Sequence, residues 1–165
     1  MPVLKELMLR SPRLTLAVAE SLTCGQVQAA VGRISGASEF FLGGITAYTL
    51  EQKVRHLGVD RERAQAVNCV SAGMAEQMAR GVCVLFGSDL GVATTGYAEP
   101  SPDDDVDVPF AWWAIAHRKA DGTEHMLNGR IECPDATRDE VQRQVAAAVM
   151  EALVRYLWTV RGVAR

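Results

Sequence analysis

Leu14-Thr15-Leu16-Ala17-Val18-Ala19-Glu20-Ser21-Leu22-Thr23-Cys24-Gly25-Gln26-Val27-Gln28-Ala29-Ala30-Val31 is the stretch that decides the fold. Leu14–Val18 is an apolar run and reads as a strand. Gln26–Val31 has the look of a helix. Between them lies a sharp turn that carries two hydroxyls, a thiol and a glycine. A hydroxyl there sits near the backbone N–H groups that open a helix and have no partner inside it. Such donors hold a phosphate or a developing oxyanion. The plainer alternative is that Ser21 or Thr23 only caps the helix.

The chain has 165 residues, enough for one domain with a proper core, and a single domain over 1–165 is expected. Nearly half of the residues are apolar, and the formal net charge is −3 with Lys and Arg scattered along the chain. That balance argues against nucleic-acid binding. No apolar run reaches the length of a membrane span, and the first residues lack a signal-peptide pattern. The expectation is a cytoplasmic protein with no nucleic-acid or membrane partner.

Cys24, Cys69, Cys83 and Cys133 form no Cys-x-x-Cys pair, so no metal site is expected. In a reducing compartment they are free thiols. Cys24 shares the turn with Ser21 and is a second candidate nucleophile. His56, His117 and His125 are the only histidine bases for it, and none has local support for that role.

Outward from the turn, helix and strand alternate. Met1–Arg10 carries Val3, Leu4, Leu7 and Met8 at helical spacing. Phe40–Tyr48 reads as a strand whose Gly43-Gly44 pair signals a bulge or a close backbone approach. Glu51–Leu57 is a short helix stopped by Gly58, and Asp60–Ala66 is a further helical turn or two. Ser71 caps a longer helix that ends at Gly87. Leu90–Thr94 is a central strand running into a turn at Thr95-Gly96. Phe110–His117 and Glu124–Ile131 form a hairpin about Asp121-Gly122, and a long helix runs from about Ala136 to Trp158. The sum is one three-layer α/β/α domain with a mixed, mostly parallel sheet. Trp112, Trp113 and Trp158 are first of all core residues, and a homodimer interface is their second use.

In such sheets, ligands bind beyond the carboxyl ends of the parallel strands. The turns at Ser21 and at Thr95 both fall there, which points to a shared pocket.

The same residues resemble the CinA C-terminal domain family, whose enzymes include nicotinamide-nucleotide amidohydrolases of the PncC type. The family's Glu-Ser-Cys-Thr-Gly-Gly turn is similar to Glu20-Ser21-Leu22-Thr23-Cys24-Gly25. Its Tyr-Ser-Asn-x-x-Lys segment resembles Tyr48-Thr49-Leu50-Glu51-Gln52-Lys53. Its Gly-Ala-Ser and Val-Ser pairs resemble Gly36-Ala37-Ser38 and Val70-Ser71. Its Thr-Gly-Ile-Ala-Gly-Pro resembles Thr95-Gly96-Tyr97-Ala98-Glu99-Pro100, and its arginine near the last helix falls on Arg138. The resemblance spans nearly the whole chain in order and spacing. The larger family members carry a further N-terminal domain, and the resemblance implies a stand-alone domain here.

The resemblance implies hydrolysis of the carboxamide of nicotinamide mononucleotide, a small pyridine nucleotide, to nicotinic acid mononucleotide and ammonia. No metal or other cofactor is implied. Ser21 matches the nucleophile, Lys53 the group that activates it, and Tyr48 the same hydrogen-bond network. Thr23, Cys24, Gly25, Thr95, Gly96 and Arg138 match substrate-contacting positions, with Arg138 directed to the phosphate. The chemistry is coherent, because a serine hydroxyl needs a base, and a lysine serves only when its pKa is lowered. N–H groups near Thr23 and Gly25 are the expected oxyanion donors.

Three departures set this chain apart. Cys24 stands where the family has glycine, Leu22 replaces a cysteine, and Glu99 replaces a second glycine ahead of an acidic run from Asp103 to Asp107. A pocket-facing Glu99 repels phosphate and favours a cationic ring, whereas a solvent-facing one does neither. A non-catalytic nucleotide-sensing domain and a hydrolase of another small amide are the alternative functions.

Overall fold

The strands alternate bulky and small side chains, and that alternation builds two unlike cores. A computed structural model describes residues 2–162. Met1, part of the expected first helix, lies outside the described residues. In chain order the elements are α1 (Pro2–Leu9), β1 (Leu16–Glu20), α2 (Gln26–Gly32), β2 (Phe41–Thr46), α3 (Leu50–Leu57), α4 (Arg61–Ala66), α5 (Ala72–Phe86), β3 (Leu90–Tyr97), β4 (Phe110–Arg118), β5 (Glu124–Glu132) and α6 (Arg138–Arg161). The five strands form one mixed sheet in the order β2-β1-β3-β4-β5. The β2–β1 and β1–β3 pairs are parallel, and β3–β4 and β4–β5 are antiparallel. Four of the five strands therefore point the same way, in a single α/β domain.

Leu16, Val18, Leu90, Val92 and Ile115 face one side, where they meet α1, α2 and α6 through Leu4, Met8, Val27, Val31, Val145, Val149, Leu153 and Leu157. Ala17, Ala19, Ala93, Ala114 and Ala116 face the other, against Met74, Met78 and Val82 of α5 and Leu57 of α3. The small side chains bring α5 close to the sheet. A Cβ on Gly91 would run into the Ala79 carbonyl, and one on Gly81 into the backbone of Leu57.

Several local expectations hold for identifiable reasons. Ser71 caps α5, its Oγ accepting the Met74 N–H at 3.1 Å, and Gly58 and Gly87 close α3 and α5 in the left-handed region. The glycine pair in β2 sits beside a bulge: Leu16 pairs with Phe41 and Ala17 with Gly43, leaving Leu42 without an opposite residue. A Cβ on Gly44 would lie 2.6 Å from the Val18 carbonyl oxygen. Thr137 and Glu140 form a reciprocal cap on α6, and these backbone and hydroxyl donors hold the Glu140 carboxyl below its usual range.

Several boundaries differ from the sequence expectation: β1 runs over Leu16–Glu20, two residues later than the apolar run Leu14–Val18, and two further differences bear on the site. The strand expected over Phe40–Tyr48 runs only over Phe41–Thr46, and the Ala47 N–H makes the last rung of its ladder with β1, to the Glu20 carbonyl at 2.9 Å. The expected turn at Thr95-Gly96 is instead the end of β3. The β4 strand pairs with β3 as far as Tyr97, opposite Phe110, and so holds Thr95 and Gly96 extended. Gly96 is needed there because a Cβ would lie 2.6 Å from Ala111 Cα.

Candidate active site

Ser21 is the first residue beyond β1, where its N–H donates to the Thr94 carbonyl of the neighbouring strand at 3.0 Å. That bond anchors the turn at the carboxyl end of the parallel strands. The turn then runs through two consecutive positive φ angles, Cys24 at 48° and Gly25 at 98°. A non-glycine residue in that region carries strain of about 1–2 kcal/mol, so Cys24 is an imperfect fit to its own backbone. Its side chain is exposed.

Lys53 reaches the same place from the first half of α3. Its Nζ donates to Ser21 Oγ at 3.0 Å and to the Tyr48 carbonyl at 2.9 Å. Lys53 is 2 % exposed and Ser21 7 %. Among the described residues no carboxylate is ion-paired to this ammonium. Burial therefore pushes the Lys53 pKa below its ordinary 10.5, opposed by the nearby charge of Cys69. The lysine closest to the serine is thus the one biased toward its neutral, proton-accepting form.

Glu20 is the residue that sequence reasoning left without a role. It is completely buried. Its carboxylate accepts the Thr23 hydroxyl at 2.6 Å and the N–H groups of Gly25, Val27 and Gln28 at 3.0, 3.1 and 2.8 Å. The chain's own carboxylate fills the N-terminus of α2, where an external anion was expected. Gly25 therefore offers no free donor to an oxyanion. Thr23 is also spoken for, since its hydroxyl bonds Glu20 and, at 2.7 Å, Thr94. What signals this in sequence is only the acid at the end of an apolar strand. Among the described residues, the N–H groups of Leu22 and Thr23 donate to no protein acceptor.

Thr95 differs from expectation, whereas Tyr48 joins the Ser21–Lys53 hydrogen bonds through its backbone. The Thr95 hydroxyl donates to the Cys69 carbonyl at 2.7 Å and is fully buried, so it fastens the loop after α4. Tyr48 supplies its carbonyl, not its phenol, to Lys53. Its ring is 48 % exposed, and its hydroxyl accepts from Arg138 Nη2 at 2.6 Å. Arg138 Nη1 bonds Glu99 Oε1 at 2.7 Å. Glu99 therefore turns toward the site. These residues, with Leu22, Gly96, Tyr97, Ala98, Pro100 and Ser101, line a cleft of about 200 Å³ beside the Ser21 turn.

The rival arrangements lack support. His117 Nδ1 bonds the Tyr156 hydroxyl at 2.7 Å, and His56 Nε2 lies 2.9 Å from Gln52 Oε1, so neither is paired with Cys24. No group of three or more His, Cys, Asp or Glu among the described residues could hold a metal ion. No helix among them is long and apolar enough to cross a membrane.

Comparison with known proteins agrees with this architecture. A "CinA-like protein" of Chlorobium limicola is 38 % identical over 159 residues, covering 96 % of this chain and 37 % of the relative. One from a Picosynechococcus strain is 38 % identical over 151 residues, covering 91 % and 35 %. The chain thus spans little more than a third of these curated relatives. Among solved structures, the competence/damage-inducible protein CihA of Agrobacterium tumefaciens superposes with a TM-score of 0.80 at 26 % identity, covering 93 % of each chain. A CinA-superfamily protein of Klebsiella pneumoniae gives 0.78 at 26 %, covering 94 % of this chain and 92 % of that one. The model of the CinA C-terminal domain matches residues 3–157, and with it the chain belongs to the CinA C-terminal domain family.

Proposed function

We infer that this domain is an amidohydrolase that uses Ser21 as nucleophile and Lys53 as base to deamidate a pyridine nucleotide of the nicotinamide mononucleotide type. The observation that carries this is the buried 3.0 Å contact between Lys53 Nζ and Ser21 Oγ, with no ion-paired carboxylate on the lysine among the described residues. A surface lysine has no reason to be placed there, because burying an ammonium is unfavourable unless the site uses it.

Neutral Lys53 takes the Ser21 proton as Oγ attacks the carboxamide carbon, forming a C–O bond and a tetrahedral oxyanion. The unengaged N–H groups of Leu22 and Thr23 are the donors beside that oxygen. Collapse breaks the C–N bond, and the proton held on Lys53 goes to the departing nitrogen, which leaves as ammonia. Water then attacks the ester, giving a proton to Lys53. That proton returns to Ser21 Oγ as the carboxylic acid departs. The Tyr48 carbonyl orients Lys53 throughout by accepting one of its N–H bonds.

The test is ammonia release from nicotinamide mononucleotide by the purified protein. Turnover by the wild type, lost by at least a hundredfold in Ser21→Ala, is the expected result. Absence of turnover of both this compound and its phosphate-free nucleoside overturns the amidohydrolase reading. Binding of the nucleotide without turnover gives the sensing domain instead.

A further inference from the structure

We propose that Glu99 shifts the preference of the cleft from nicotinamide mononucleotide toward its phosphate-free nucleoside, a cationic carboxamide, a proposal that rests on the amidohydrolase reading above. Among the described residues, Arg138 is the only cationic side chain lining the cleft. Both ends of its guanidinium are occupied, Nη1 by Glu99 at 2.7 Å and Nη2 by the Tyr48 hydroxyl at 2.6 Å. Arginine grips phosphate with two parallel N–H donors, so a phosphate must displace Glu99 from this fork. The pair is exposed, with side chains 45 % and 63 % accessible, and displacement itself is cheap. The lasting penalty is the carboxylate left within a few ångströms of a dianion.

A second carboxylate, outside the lining itself, is tied to one of the lining residues. Asp104 accepts from Ser101 Oγ at 2.7 Å and from Asn68 Nδ2 at 3.0 Å, and Asn68 also donates to the Tyr97 hydroxyl at 3.1 Å. Those bonds hold an acidic loop beside two of the residues that line the cleft. Lys53 is buried against Ser21 and is not among the residues lining the cleft, so it does not face this charge. The charged groups named in and next to the lining are one cation and two anions. Tyr48 and Tyr97 add two aromatic rings to the lining. Aromatic faces beside a carboxylate suit a flat cation such as a pyridinium, and unpaired negative charge excludes a phosphomonoester.

The experiment compares nicotinamide mononucleotide with the same compound lacking its phosphate, in wild type and in Glu99→Gln. Ammonia release should show a higher kcat/KM for the phosphate-free compound in wild type. In Glu99→Gln the ratio should shift toward the mononucleotide by about tenfold, the effect of removing one like charge at short range. A ratio unmoved by Glu99→Gln, or a wild type that prefers the mononucleotide, overturns the proposal. If neither compound yields Ser21-dependent ammonia, the amidohydrolase reading fails by itself. Calorimetric titration with inorganic phosphate then judges Glu99 separately: tighter binding by Glu99→Gln supports its role, and equal binding overturns it.

Discussion

Lys53 Nζ and Ser21 Oγ lie 3.0 Å apart although they sit on different elements 32 residues apart in sequence. The β1 strand carries one to the end of the sheet, and the first half of α3 carries the other back over it. The lysine is stripped of water, and that fact has consequences for stability as well as chemistry.

Replacing Lys53 with methionine should stabilise the fold at pH 7 by on the order of 1 kcal/mol while abolishing turnover. The folded pKa of Lys53 lies below the 10.5 of the unfolded chain. Between those two values the unfolded chain binds more protons, so wild-type stability rises with pH across that window. Lys53→Met should lack this rise, and its advantage should shrink toward pH 10. Thermal melts of both proteins at several pH values check this. A variant that melts below the wild type at pH 7 contradicts it.

Glu20→Ala should be among the most damaging single changes outside the apolar core. It strands the N–H groups of Gly25, Val27 and Gln28 without their acceptor and leaves the Thr23 hydroxyl only Thr94. A loss of about 3 kcal/mol is expected from charged hydrogen bonds of this kind. For a domain of this size that is a fall in Tm of roughly 6–12 °C. Glu20→Gln should fall between, since it keeps one acceptor oxygen.

Tyr48→Phe separates the two halves of that residue. The phenol acts on Arg138 and the carbonyl acts on Lys53. Steady-state kinetics should therefore show a change carried by KM, with the pH dependence of kcat intact. A variant that loses the pH dependence of kcat would give the phenol a part in proton transfer instead.

Gly91→Ala tests the close approach of α5 to the sheet. The added methyl meets the Ala79 carbonyl, which belongs to helix backbone and cannot swing aside. Overpacking of this type costs about 1–3 kcal/mol. Denaturant unfolding should show a lower midpoint, and an unchanged midpoint would mean that the helix yields without strain.

Much of this was legible from residues in order. The alternation of Leu16 and Val18 with Ala17 and Ala19 is a strand pattern, and Gly58, Ser71 and Gly87 punctuate helices by local chemistry alone. The nearness of Ser21 and Lys53 was implied only by the resemblance to the CinA C-terminal domain family. What escaped was long-range. Nothing local tells that Thr95 and Gly96 stay extended, because the reason is β4, which begins at Phe110. The role of Glu20 escaped because a buried acid is recognised only by the four donors that surround it. Arg138 shows the same limit: its place on a helix was readable, while its partners Glu99 and Tyr48 lie 39 and 90 residues away.

The pH dependence of kcat/KM for ammonia release, in wild type and in Lys53→Met, tests the serine–lysine chemistry most directly. A rising limb with an apparent pKa below 10.5 in the wild type, and a rate at least a hundredfold lower without that limb in Lys53→Met, is the predicted result. A Lys53→Met protein that turns over like the wild type, with the same rising limb, would contradict it.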